Sequence, residues 1–235
     1  MMSLHLRITF LVIAAFSMVA VLWGFADAAE KRSRLMENIV AGKIIDLPKA
    51  AVKSKMPLEE TLAKRHSVRQ FTSKPLTIAE ISQLLWAGQG KTREWGGRTA
   101  PSAGALYPLE LYIVLKEGVF QYRPEGHKLL TTIAGDSRGP LAAAALNQGC
   151  VGTAPAVFVI AAVYERTAVK YRDRAPRYVH IEAGHAAQNI MLESVALGLG
   201  GVPVGAFHDD AVKKALKLPA GQEPLLLIPV GHPAP

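Results

Sequence analysis

Apolar and polar positions change period several times along the chain, and each change marks an element. Residues 29–55 are charged and aperiodic, with Pro48 as a breaker, the pattern of a linker or wrapping arm. Pro57 followed by LEETLAKR predicts a short helix, because a proline in the first helical turn gives up no hydrogen bond. Thr77 and Glu80 spell a capping box ahead of the helical stripe Ile78, Ile81, Leu84 and Leu85, which runs out near Gly88 to Gly90. Leu109–Leu115 and Val119–Tyr122, joined by Lys116-Glu117-Gly118, predict a hairpin. APAVFVIAAVY, Ala154 to Tyr164, is almost unbroken apolar sequence, as in a strand buried on both faces. Arg177–Leu199 predicts a long helix whose Ala183, Gly184, Ala186 and Ala187 let another backbone come close. A short helix over Asp209–Leu216 and a strand over Leu225–Val230 complete the pattern. Helices interleaved with strands over residues 56–235 predict one layered α/β or α+β domain.

The amino terminus adds an address. Arg7 precedes the apolar run Ile8–Phe25, and Ala26-Asp27-Ala28 follows in a small-x-small pattern. Residues 1–28 therefore read as a signal peptide or a membrane anchor, with the folded part exported to the periplasm or facing the extracytoplasmic side. Lys and Arg number 27 against 19 Asp and Glu, a net charge of +8. These cations are scattered and not interleaved with aromatics, which argues against nucleic acid as a partner. Cys150 is the only cysteine, so no intramolecular disulfide forms. It has no general base beside it and reads as a packing residue before a strand.

Three short stretches carry candidate chemistry. In KRHSVRQF, Arg65, Ser67 and Arg69 occupy alternate positions, and in an extended chain alternate side chains share a face. Two guanidinium groups and a hydroxyl suit a phosphate; the other reading is a polar edge strand whose arginines make surface salt bridges. TAPSAGALYP, Thr99 to Pro108, sets small residues between two prolines, so a flat ring can approach its backbone. GLGGVPVGAF, Gly198 to Phe207, is a second small-residue loop, and it follows a helix, which rules out a dinucleotide fingerprint. His180, Glu182 and His185 are spaced by two and three, not by the four that zinc helices use, so no metal is expected. His185, Gln188 and Asn189 share a helical face and predict a polar seam.

Taken in order, RHSVR, PSAGALYPLELYIV, HIEAGHAAQNIMLESVALGLGGVPVGAF and IPVGH resemble the FMN-dependent nitroreductase family. The likeness is greatest to its branch of dehydrogenases that oxidise thiazoline and oxazoline rings in modified peptides. The resemblance implies an α+β, three-layer fold with a mainly antiparallel central sheet flanked by helices. It also implies a homodimer with two flavin sites at the subunit interface. The activity implied is that of an FMN-dependent oxidoreductase, passing hydride through flavin N5 to or from a nitroaromatic, a quinone or a dehydrogenation substrate. It assigns Arg65, Ser67 and Arg69 to the FMN phosphate with the His66 backbone nearby, and Pro101, Ser102, Ala103 and Gly104 to the ring. The amides of Val204, Gly205 and Ala206 are assigned to the N5 and O4 edge. Lys170, Tyr171 and Tyr178 fall where the dehydrogenase branch can place residues acting on substrate protons.

The family's further basic residues after the PVGH strand are not matched in GHPAP, which leaves His232 as a partial substitute at the phosphate. Export separates such an enzyme from cytoplasmic nicotinamide, so a membrane quinone or redox protein is the expected electron partner. The alternatives are an exported flavin-binding protein without turnover and a degenerate structural homodimer.

Overall fold

The computed structural model describes residues 30 and 32–235, so the reading of residues 1–28 falls outside the described residues. The chain divides into two units, Met1–Glu37 and Asn38–Pro235. In the first, residues 32–35 are helical and Arg34 pairs with Glu30 one turn away at 2.5 Å. Among the described residues no helix is long and apolar enough to cross a membrane.

The second unit is built on a seven-stranded sheet in the order β1-β4-β3-β2-β5-β7-β6, antiparallel throughout. Its strands are β1 (Ile44–Asp46), β2 (Leu109–Leu115), β3 (Gly118–Arg123), β4 (Lys128–Ala134), β5 (Ala156–Ala162), β6 (Gly200–Gly201) and β7 (Glu223–Gly231). The helices are α1 (Leu58–Lys64), α2 (Ile78–Gln89), α3 (Arg138–Ala144), α4 (Gly149–Thr153), α5 (Tyr164–Tyr171), α6 (Ala175–Ala196) and α7 (Asp209–Leu216). β5 is buried at every position because layers cover both faces of the sheet. Val157, Val159 and Ala161 face a core that includes Leu141, Val151, Val212 and Leu216 from α3, α4 and α7. Alternate side chains point the other way, toward α2 and α6, which pack on each other and on β2. This is the three-layer α+β arrangement the sequence resembles.

Local signals explain the elements that place the site. Thr77 caps α2 reciprocally with Glu80: Glu80 N–H donates to Thr77 Oγ1 at 3.2 Å and Thr77 N–H to Glu80 Oε2 at 2.6 Å. The arm is tied to the domain. β1 pairs with β4, and Ala51 exchanges two hydrogen bonds with the Gln83 amide at 2.8 and 3.0 Å. Ser82 Oγ–H donates to the Pro48 carbonyl at 2.6 Å, and His127 Nε2 lies 2.7 Å from the same Oγ. His127 Nδ1 lies 2.8 Å from Tyr122 Oη. Because Ser82 spends its hydrogen on Pro48, His127 carries its proton on Nε2 and accepts from Tyr122 at Nδ1. Burial agrees, since it pushes the His127 imidazole below its usual pKa and so favours the neutral ring.

Candidate functional site

Beyond α1 the chain straightens, as the KRHSVRQF pattern predicts. Ser67 bridges Gly201 in parallel, and Val68 N–H donates to the Gly201 carbonyl at 3.0 Å. Further along, Thr72 N–H donates to His232 O at 2.9 Å and Ala234 N–H to Gln70 O at 3.0 Å. The segment thus runs along the β6 edge of the sheet. Gly200 permits the approach: a Cβ there would sit 2.6 Å from a γ-carbon of Val68. Arg65 is half-buried, while His66, Ser67 and Arg69 are exposed. Neighbouring Lys64 pairs with Glu60 at 2.5 Å. Among the described residues Arg65 and Arg69 have no such partner, so the salt bridges of an ordinary polar edge strand are not made here. His66 Nδ1 lies 2.9 Å from the Lys64 carbonyl oxygen.

The Gly198–Phe207 loop sits on the same edge, its start supplying β6. Val204 and Leu227 exchange both backbone hydrogen bonds, at 2.8 and 2.9 Å, and the Val204 side chain is buried. Val204 N–H is therefore consumed by the sheet, and Gly205 and Ala206 beyond it are exposed. The Ala206 carbonyl accepts from Gln148 Nε2 at 2.7 Å, which pins the turn. Gly205 lines a cavity of about 500 Å3 with Tyr164, His180, Gly184 and Phe207. In it Tyr164 Oη and His180 Nε2 approach to 2.5 Å, and burial raises the Tyr164 pKa. The His232 ring does not extend the phosphate strand outward: Nε2 faces Glu80 Oε1 at 4.0 Å without a hydrogen bond, and burial lowers its pKa.

The Thr99–Pro108 loop is held quite differently. Gly104, Ala105 and Tyr107 have φ of 62°, 55° and 46°, and a non-glycine residue in that region costs about 1–2 kcal/mol. Such a shape persists only if its surroundings fix it. Tyr107 N–H donates to Ser102 Oγ at 2.9 Å, and Arg166 Nη1 donates to Tyr107 O at 3.1 Å. Arg98 N–H donates to Tyr107 Oη at 3.2 Å, and the Arg98 guanidinium lies 4.5 Å from the Tyr107 ring centroid. Arg98 Nη1 also donates to Gln89 Oε1 at 2.9 Å. Arg166 Nη2 pairs with Glu110 at 2.5 Å, and Gln121 Nε2 donates to the other Glu110 oxygen at 2.7 Å. Beneath the loop, the buried carboxyl of Glu182 faces Ser102, Gln89 and Arg98.

Lys170 and Tyr171 come to this loop: a Cβ on Gly104 would lie 3.3 Å from Lys170 Nζ and 3.1 Å from Tyr171 Oη. The Tyr171 and Tyr178 rings meet edge to face at 4.8 Å. The sequence singled out these three residues but did not tie them to Gly104. It missed Arg98, Gln89, Glu110, Arg166 and Glu182, which sit on separate elements with no motif spacing to link them; the one available hint was a cluster of charge around a small-residue loop. Asn189 of the predicted seam reaches the Thr99 carbonyl at 3.5 Å.

The arrangement fits a flat ligand with an anionic tail. Two guanidinium groups on the sheet edge have no acidic partner among the described residues and suit a phosphate. Two loops present small residues, where a ring can approach backbone.

Comparison with known proteins leads to the same place. Residues 62–232 match the family described as Nitroreductase. A Methanocaldococcus jannaschii protein described as a nitroreductase is 48% identical over 181 residues, 74% of this chain and 90% of that one. Among solved structures, a Ralstonia eutropha protein described as a nitroreductase is 31% identical with a TM-score of 0.75, covering 84% of this chain and 93% of its own. The NADPH:FMN oxidoreductase of Vibrio harveyi, solved with NAD+, is 25% identical with a TM-score of 0.58, covering 76% and 69%. With the fold, the paired loops and the family's span in agreement, the chain belongs to the Nitroreductase family.

Proposed function

We propose that the protein is an FMN-dependent oxidoreductase that passes hydride to or from a small organic substrate and works as an exported homodimer. The observation that carries this reading is the pair Arg65 and Arg69, without acidic partners among the described residues, on the strand beside the Gly198–Phe207 loop. Bound FMN would supply a hydride donor and acceptor at ring N5. Arg65, Ser67 and Arg69 would hold its phosphate, Pro101 to Gly104 would lie along the ring, and Gly205 and Ala206 would offer the amides nearest its reactive edge. Lys170 and Tyr171, gathered at Gly104, would meet a substrate proton on the dehydrogenase-like reading of this site.

Two further elements of the proposal have separate supports. The phosphate strand runs along the β6 edge of the sheet, whereas the Thr99–Pro108 loop leads into central β2, a separation that favours a site completed by a second copy. Exposed Leu58 and Leu62 on α1 and Ile181 on α6 offer apolar surface for it. The apolar leader favours export, and with it a membrane quinone or redox protein as electron partner.

The test is an absorbance spectrum of the purified protein after incubation with FMN, followed by anaerobic titration with NADPH and then with a reduced quinone. A flavin band that one of these donors bleaches is the expected result. A colourless protein that refuses added FMN overturns the reading.

A further inference from the structure

Glu182 occupies the middle of α6 with 2% of its surface exposed, and nothing in the proposed chemistry uses it. A carboxyl this deep is costly unless its surroundings have a use for it. The groups that face it are all hydrogen-bond donors. Ser102 Oγ already accepts from Tyr107 N–H, which leaves its own hydrogen to donate. Gln89 Oε1 is taken by Arg98, which leaves the amide hydrogens, and Arg98 is a cation. Glu182 Oε1 and Gln89 Nε2 are both buried without a partner, one a spare acceptor and the other a spare donor.

We propose that Glu182 is a positioning residue for the Pro101–Gly104 loop: together with Gln89 and Arg98 it grips Ser102 from beneath, and taking up a proton loosens that grip. The direction follows from counting hydrogens. As a carboxylate it offers two accepting oxygens to the spare donors of Ser102 and Gln89, and it faces the Arg98 charge. As an acid it keeps one good accepting oxygen in place of two for the Ser102 and Gln89 donors, and it loses its attraction to the Arg98 charge. Burial is the largest influence on this carboxyl and raises its pKa to about 7, against the pull of Ser102, Arg98 and Gln89. The change therefore falls in the neutral range.

Other groups around it act at one remove. From the loop side Arg98 is the charge that faces it, and Glu110 and Arg166 act on Arg98. From α2 only the neutral Gln89 reaches it. On α5, Lys170 and Tyr171 lie against Gly104. On α6 itself, Tyr178 and His185 stand one turn to either side. The proposal rests on reading this loop as part of the cofactor site, and its test separates the two.

Amide hydrogen exchange of cofactor-free protein is followed from pH 5.5 to 8.5, corrected for intrinsic rates, for the natural chain, Glu182→Gln and Ser102→Ala; FMN affinity is measured at both ends of the range. In exchange through local opening of the loop, with Glu182 still buried in α6, protection of the Tyr107 amide is expected to rise about tenfold with pH in the natural chain and to stay flat in Glu182→Gln. A pH profile unchanged in Glu182→Gln overturns the proposal. A profile that flattens while FMN fails to bind at any pH supports the grip and rejects the cofactor reading of the loop. Should Glu182→Gln not fold, infrared difference spectra of the natural chain and Ser102→Ala decide: a buried carboxylic-acid band lost across neutral pH and shifted in Ser102→Ala supports the proposal, and its absence overturns it.

Discussion

The two halves of the site are held by opposite means. On the β6 edge, Arg65 and Arg69 have no acidic partner among the described residues, and the strand that carries them is fixed through its backbone and Val68. Around the Thr99–Pro108 loop, charges and amides are drawn inward and engaged with one another, from Glu110 and Arg166 through Arg98 to Gln89 and Glu182. The first region keeps electrostatic free energy available for a ligand. The second spends it on holding a strained backbone. Variants in the first should change binding and spare stability, whereas variants in the second should change stability first.

The sharpest way to break this contrast is the double variant Arg65→Ala, Arg69→Ala. Each charge-assisted contact contributes about 1.5–3 kcal/mol, so FMN affinity is expected to fall by roughly 10^2 to 10^4. The midpoint of chemical denaturation of the cofactor-free protein is expected to stay in place. Undiminished cofactor retention in a binding titration would remove the phosphate assignment.

The next effect belongs to the loop. Burial raises the Glu182 carboxyl from 4.5 to about 7, so between those values the folded chain binds more proton than the unfolded one. The stability this group contributes is fully present below 4.5 and is lost as pH rises through 7, on the order of 3 kcal/mol in all. Urea denaturation across that range measures it. In Glu182→Gln that component of the pH dependence should vanish; if the slope is the same in both chains, the carboxyl is not buried as described.

Gly200→Ala gives the smallest change and tests the strand's dependence on close approach. The added carbon meets Val68 near its branch point, which leaves little room for a rotamer to relieve it, so a loss of about 1–3 kcal/mol is expected. Here thermal stability and FMN affinity should drop together, unlike in the arginine variant. A drop in stability with affinity intact would show that the strand can shift without disturbing the ligand.

Much of the frame was legible because its signals are local. Thr77 and Glu80 announce α2, the run Asp209–Leu216 is α7 as read, and the unbroken apolar stretch gives a strand buried on both faces, Ala156–Ala162. β4 escaped notice because KLLTTIA is only half-buried and does not alternate cleanly. β1 is three residues inside a charged arm. Cys150, read as preceding a strand, lies buried in the short helix α4, whose five residues are too few to show a period. Tyr164, read as the end of a strand, begins α5. At the site, the Val204 amide is spent on Leu227, a pairing that only the register of β7 decides. The Glu182 network depends on three elements meeting, which no spacing along the chain encodes.

The edge strand also bears on how the molecule comes into being. Its ties join Val68 to Gly201, Thr72 to His232 and Gln70 to Ala234, partners from opposite ends of the domain. Contacts so distant along the chain close late, after nearer hairpins and helices have formed. A chain whose last strand has not yet docked would have both arginines but no groove to set them in. On the proposed reading, flavin loading is then a late event of maturation, and a lesion confined to these edge contacts would lower flavin content before it cost the fold.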